Sequence, residues 1–245
     1  MKIGILATGI TPDELLGEHG AYADMFVTLL NKVDKQQGQT PFDFVTFDVR
    51  DDIFPDSADQ CEGWIVTGSK FGVYDNLPWM SKLKTLIHEI YDAEKPMLGI
   101  CFGHQIIADA FGGEVEKFSG GWGIGLQHYQ CTAPIPFAKH TPDSFTVSAM
   151  HQDQVMKKPD IAEVVATSDF CKYAGLKYGQ RILTFQGHPE FETVYADALI
   201  LARKGHVIPH ETADKGLATL HDEHAVIDSL EVGAWMSGFL RQNER

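Results

Sequence analysis

One junction constrains this chain more than any other segment. Pro96-Met97-Leu98-Gly99-Ile100 is a short apolar run that ends on Cys101, and Phe102-Gly103-His104-Gln105-Ile106-Ile107-Ala108 continues it with helical spacing. Gly-x-Cys-x-Gly between a strand and a helix predicts a nucleophile elbow. The glycines let neighbouring backbone pass a tight turn that a Cβ would obstruct, and the cysteine side chain is left exposed at the carboxyl edge of a sheet. Its sulfur then sits at a helix N-terminus, where the macrodipole favours thiolate and N–H groups without intrahelical partners can hold an oxyanion.

The elbow needs a sheet, and the pattern around it supplies one. Apolar runs at Lys2 to Ala7, Phe42 to Phe47, Gly63 to Thr67 and Pro96 to Ile100 alternate with amphipathic stretches near Ala21 to Val33 and Trp79 to Asp92. That alternation predicts an α/β fold with a parallel sheet covered by helices on both faces. Shorter strands follow at Gly123 to Thr132, Ser144 to Ala149, Ala162 to Thr167, Ala174 to Lys177 and Arg181 to Phe185, an antiparallel section that extends the sheet. The expected architecture is a three-layer αβα sandwich with a mixed, mostly parallel central sheet. From Glu192 onward the spacing is mostly helical, while Gly205 to Asp222 is polar, carries Pro209 and Gly216, and reads as a loop or lid. One domain over residues 1–245, with a C-terminal helical extension from about 206 to 245, accounts for the length. Trp64, Trp79 and Trp235 read as packing residues.

A cysteine nucleophile needs a partner that takes a proton and later returns it to a leaving nitrogen, which is ordinary work for histidine. Gln186-Gly187-His188-Pro189-Glu190 follows the apolar run Ile182 to Phe185, so His188 is expected at a strand end on the elbow's edge of the sheet. Glu190, two residues on, falls on the same face and can orient the imidazole and stabilise its charged form. His104 and His151 are the rival bases; His104, three residues into the helix after Cys101, is expected to point away from the nucleophile's tip.

Composition narrows the partners. With 34 acidic and 20 basic residues the formal net charge is -14, which disfavours nucleic acid and membrane surfaces. Cys61, Cys101, Cys131 and Cys171 are widely spaced, without a C-x-x-C pair, as suits free thiols in a reducing compartment. The N-terminus lacks a signal-peptide core, and the cytoplasm is the expected location. His206, His210, His221 and His224 lack the carboxylates or cysteines of a complete metal site, and there is no G-x-x-x-x-G-K-[ST] loop, so no metal or cofactor is expected.

Gly-Ile-Cys-Phe-Gly-His-Gln, followed much later by Gly-His-Pro-Glu, resembles the class I glutamine amidotransferase family over roughly residues 1–200, and implies its flavodoxin-like sandwich. The resemblance implies Cys101 as nucleophile, His188 as general base and acid, Glu190 as orienting carboxylate, and the backbone N–H of Phe102 as half of the oxyanion hole. The other half comes in this family from a turn that commonly reads Gly-Gly-Pro. Here it is Gly68-Ser69-Lys70, which makes the Ser69 amide the expected second donor. Family positions that meet the glutamyl group fall on Gly68, Gln105, Trp122, Gly123, Met150 and His151. Among subgroups the likeness is to stand-alone γ-glutamyl peptidases and guanylate-synthetase-like amidotransferases. The implied activity is hydrolysis of a γ-glutamyl amide through a γ-glutamyl thioester, with glutamine or a γ-glutamyl peptide as substrate. Alternatives are an ammonia-delivering partner of a separate synthetase chain and a non-catalytic regulatory module that keeps the fold.

Overall fold

A computed structural model describes residues 1–243. In them the chain runs β1 (Lys2–Ala7), α1 (Asp13–His19), α2 (Tyr22–Gln37), β2 (Asp43–Asp48), β3 (Gly63–Val66), α3 (Pro78–Asp92), β4 (Met97–Ile100), α4 (Phe102–Ala110), β5 (Glu114–Lys117), β6 (Gly123–Cys131), β7 (Ser144–His151), β8 (Asp153–Lys157), β9 (Glu163–Thr167), β10 (Gly175–Tyr178), β11 (Ile182–Phe185), α5 (Thr193–Arg203), α6 (His210–Leu220) and α7 (Ser229–Leu240). Among the described residues one sheet has nine strands in the order β2-β1-β3-β4-β11-β10-β9-β6-β7. The run β2-β1-β3-β4-β11 is parallel, and β10-β9-β6-β7 continues it antiparallel. The strands β5 and β8 form a small antiparallel ladder beside it.

The alternation of side chains along a strand assigns residues to two cores. On β4, Met97 joins the layer of α3 and α4, with Trp79, Leu83, Phe102 and Ile106, while Leu98 and Ile100 join the layer of α2 and α7. Both faces of β3, β4 and β11 are buried, as the continuous apolar runs require. Strand β11 lies parallel and next to β4, with Phe185 opposite Ile100, so the chain leaving β11 toward His188 emerges beside Cys101.

One expectation about the C-terminal part is corrected. The stretch Gly205 to Asp222 is not an open loop: it contains the helix α6, whose first residue follows Pro209. Proline just before a helix start forfeits no intrahelical bond and presets the entry, so Pro209 begins this helix. Gly216 is buried within α6 because the helix crosses β6 at backbone distance; a Cβ on Gly125 would lie 2.4 Å from the Gly216 carbonyl oxygen. The expected helical extension after 206 contains α6 and α7. The helix α7 fills the core over α2 and the sheet with Val232, Trp235, Met236, Phe239 and Leu240, a burial worth on the order of 10 kcal/mol. The buried Asp34 carboxylate of α2 accepts from Ser237 and Arg241, each at 2.7 Å. Residues 244 and 245 of the expected extension lie outside the described residues. Trp64, Trp79 and Trp235 are all buried. No helix among the described residues is long and apolar enough to cross a membrane.

Candidate active site

The elbow is built by close backbone contact. Cys101 adopts φ 54° and ψ -104°, a region that L-residues rarely occupy, and α4 starts at the next residue. Three bonds over-determine this conformation: Cys101 N–H donates to the Phe185 carbonyl at 2.9 Å, Gly103 N–H to the Thr67 carbonyl at 3.1 Å, and Gln105 N–H to the Cys101 carbonyl at 3.0 Å. The flanking glycines are sterically required. A Cβ at Gly103 would stand 2.2 Å from the Val66 carbonyl oxygen, and one at Gly99 would stand 2.8 Å from the Gly103 carbonyl oxygen. The Cys101 turn is therefore pressed against the end of β3, and Gly68-Ser69 follows directly from that end.

His188 approaches from the other side. Its N–H donates to the Ser148 carbonyl at 2.7 Å, which pins the chain after β11 to β7. The ring bonds through Nδ1 to Glu190 Oε1 at 2.7 Å, and both side chains are almost wholly buried. Phe191 stacks on the imidazole, with centroids 3.9 Å apart and planes 6° from parallel, and closes its outer face. With Nδ1 engaged by Glu190, Nε2 is the nitrogen left for the Cys101 thiol, which lies within hydrogen-bonding reach of the ring. Gly68 fits against both: a Cβ there would meet His188 Cε1 at 2.9 Å and Cys101 Cβ at 3.7 Å. Burial alone would push the His188 pKa down. The charges of Glu190 and Cys101 and their hydrogen bonds outweigh it, and the pKa stands raised to about 10.

The other histidines near the elbow are neutral for the opposite reason. Burial lowers the His104 pKa to about 3 and the His151 pKa to about 4. His104 lies behind the elbow, bonded through Nδ1 to Thr184 Oγ1 at 2.8 Å. His151 donates from Nδ1 to the Asp153 carbonyl at 3.2 Å, which leaves Nε2 unprotonated.

Cys101 and His188 open into a cavity of about 260 Å³ whose wall also includes Ser69, Gln105, Trp122, Met150 and His151. Five of the expected substrate-contact and oxyanion residues thus converge with them. Others are placed differently. Gly123 stands behind the wall, where a Cβ would strike Phe170 and the His151 ring at 2.8 and 2.9 Å. Glu190 is off this wall and meets His188 at Nδ1. The Phe102 side chain points into the α3 layer against Trp79, and only its N–H, the first of α4, is placed to serve the site. Gln105 is a brace as much as a wall, since its Nε2 donates to the Asp153 carbonyl at 2.8 Å and to Gln186 Oε1 at 3.0 Å. Sequence reasoning missed Tyr22, Lys70, Tyr74, Lys117, Phe191 and Arg203, which the fold brings to this wall from α2, the turn after β3, β5, the connection between β11 and α5, and α5. Only Phe191, one residue beyond Glu190, carried a positional signal.

Comparison with known proteins identifies the family. The sequence model of the family described as Glutamine amidotransferase class-I matches residues 35–207. The chain is 30% identical over 225 residues to gamma-glutamyl peptidase 4 of Arabidopsis thaliana, covering 88% of this chain and 87% of the relative. It is 38% identical over 111 residues to one subunit of a glutamine-hydrolyzing GMP synthase of Methanococcus maripaludis, covering 44% of this chain and 58% of that one. A solved glutamine amidotransferase from Thermotoga maritima superposes with a TM-score of 0.74 at 20% identity, over 99% of this chain and 97% of the other, and so shares its fold. The chain belongs to the class I glutamine amidotransferase family.

Proposed function

We propose that this protein hydrolyses γ-glutamyl amide bonds, with Cys101, His188 and Glu190 as a catalytic triad. The observation that carries the reading is the buried 2.7 Å contact between Glu190 and His188, which leaves the second ring nitrogen to the elbow cysteine. In this mechanism the Cys101 thiolate attacks the γ-carbonyl carbon and forms a C–S bond. The N–H groups of Phe102 and Ser69 hold the oxyanion. His188 gives its Nε2 proton to the departing nitrogen as the C–N bond breaks, leaving a γ-glutamyl thioester. The same imidazole then takes a proton from water, hydroxyl adds to the thioester carbonyl, and the thiolate departs to give glutamate and the original imidazolium. Trp122, Met150 and His151 shape the glutamyl pocket, and the Asp153 carboxylate on the same wall is an acceptor for the substrate ammonium.

Incubation with glutamine and a panel of γ-glutamyl amides tests the proposal. Wild type is expected to release glutamate and to yield a glutamyl adduct on Cys101 by mass spectrometry; equal glutamate release by Cys101→Ala would overturn it. A second reading, ammonia donor to a separate synthetase chain, is favoured by the GMP synthase relative. It predicts a slow glutaminase that accelerates on mixing with the partner, whereas a self-sufficient hydrolase reaches its full rate alone. A relative that extends over most of the chain is named a gamma-glutamyl peptidase, which favours the self-sufficient form.

A further inference from the structure

The imidazole of His188 is held at its edge by charge. Glu190 Oε1 bonds Nδ1 at 2.7 Å, and the Cys101 sulfur stands within hydrogen-bonding reach of the ring. The face of the ring meets a different group. Phe191 lies over it with planes 6° from parallel and centroids 3.9 Å apart. Neutral aromatic rings avoid this arrangement because their negative faces repel; they meet offset or edge to face, with centroids about 4.5 to 7 Å apart. The other ring contacts of Phe191 follow that rule: Tyr22 is tilted by 50° at 5.5 Å, and Tyr195 stands nearly edge-on, at 73° and 4.7 Å. A positive ring reverses the preference, since a cation over an aromatic face is attracted by the quadrupole. Close parallel stacking is the geometry that suits an imidazolium.

The backbone builds the stack. His188 N–H donates to the Ser148 carbonyl at 2.7 Å, the Ser148 hydroxyl donates to the Phe191 carbonyl at 3.2 Å, and Phe191 N–H donates to the His188 carbonyl at 3.4 Å. One fully buried residue of β7 thus fixes both ends of the short step that brings the two rings face to face. Phe191 is 2% exposed, so the contact is desolvated, the condition under which cation–π attraction is strongest. The charges acting on the imidazole are those of Glu190 and Cys101. The other titratable groups packed around the two rings are neutral: burial lowers the pKa of His151, at the end of β7, to about 4, and raises the hydroxyls of Tyr22 on α2 and Tyr195 on α5 above their ordinary range.

We propose that Phe191 is a positioning residue, whose π face stabilises the imidazolium of His188 and holds the ring with Nε2 toward the Cys101 sulfur. The proposal rests on the hydrolysis put forward above, in which that imidazolium delivers its proton to the departing nitrogen. By favouring the charged ring over the neutral one, Phe191 biases the resting site toward the thiolate–imidazolium pair from which the reaction starts.

The test separates the charge distribution of the ring from its packing. Phe191 borders both the Cys101 cavity and a second one of about 530 Å³ against α2 and α5, so a smaller side chain changes solvent access as well as the π face. Mono-, tri- and pentafluorophenylalanine at position 191 of the full chain keep the ring's shape while draining its face of negative potential in steps. The titration midpoint of His188, read by NMR of ring-labelled histidine and assigned by the resonance lost in His188→Asn, should fall at each step, by about one pH unit in all. The alkaline limit of kcat/KM for a chromogenic γ-glutamyl anilide should fall with it. Phe191→Leu, of similar bulk without a π face, should lower both as far as the pentafluoro ring does, and it decides the matter if a fluorinated chain does not fold. An unchanged His188 midpoint in the fluorinated series, or in Phe191→Leu, overturns the proposal. The NMR titration needs no substrate, so failure of wild type to cleave glutamine or the anilide overturns the hydrolase reading separately.

Discussion

Replacing Glu190 with Gln keeps the shape of the side chain beside His188 and removes its charge. The two groups are 2.7 Å apart and their side chains are 3% and 1% exposed, so solvent screens the pair poorly. Two unit charges about 4 Å apart interact by about 4 kcal/mol at an effective dielectric of about 20, which corresponds to about three pKa units. His188 titrates at about 10 in the intact site because Glu190 and Cys101 outweigh the burial that pulls it down. In Glu190→Gln the burial remains, and the imidazolium is expected to titrate near neutrality. The alkaline limit of kcat/KM, read with a chromogenic γ-glutamyl anilide, should therefore fall from about pH 10 to about pH 7, and the rate at pH 8 should drop about tenfold from this cause alone. Folding stability should move in the same window. The folded-state pKa lies above the unfolded value near 6.5, so the charged imidazole contributes in full below about pH 6.5 and its contribution is lost as pH rises through about 10. An alkaline limit that is the same in wild type and Glu190→Gln would refute the electrostatic role given to this carboxylate.

Three further substitutions probe the scaffold. Because Cys101 holds φ 54°, Cys101→Gly should be more stable than Cys101→Ala by about 1 kcal/mol in urea unfolding, though both are inactive. Gly103→Ala forces a Cβ into the Val66 carbonyl and should cost about 3 kcal/mol, lowering Tm by about 6 to 12 °C with loss of activity in the remaining folded protein. Arg241→Met strands the fully buried Asp34 carboxylate and should cost about 3 to 5 kcal/mol by denaturant titration, while kcat at a temperature where the protein stays folded is unchanged.

The elbow was legible because its chemistry is local. Gly99, Cys101 and Gly103 sit within five residues of one another and form a recognisable local pattern, although the clash that requires Gly103 is with Val66 at the end of a neighbouring strand. His188 and Glu190 were readable for the same reason, as was the central sheet, whose strands are continuous apolar runs. What escaped depended on long-range placement. Gly216 looks like a breaker in sequence, yet its absent side chain lets α6 approach Gly125 of β6, a contact between segments 91 positions apart in numbering. The strand β5, Glu114-Val115-Glu116-Lys117, is charged and largely exposed, so it lacks the apolar alternation that marks a strand; its pairing with β8 is what orders it. Tyr22, Lys70, Lys117 and Arg203 were missed on the cavity wall because they share no spacing and meet only after the sheet has formed.

The position of α7 bears on how the molecule comes to be folded at all. A Cβ on Gly233 would stand 3.0 Å from Leu29 and Val33, and Ser237 reaches Asp34, so the apolar face of α2 is closed by residues made some two hundred positions later. During synthesis that face has no cover until the chain through Leu240 has left the ribosome, although β1 to β4 can pair long before. The nascent protein therefore passes through a stage with a nearly complete sheet and one bare flank, which is when chaperone capture and self-association compete with folding. Maturation waits on the arrival of α7, and the hazard of aggregation lasts as long as that wait.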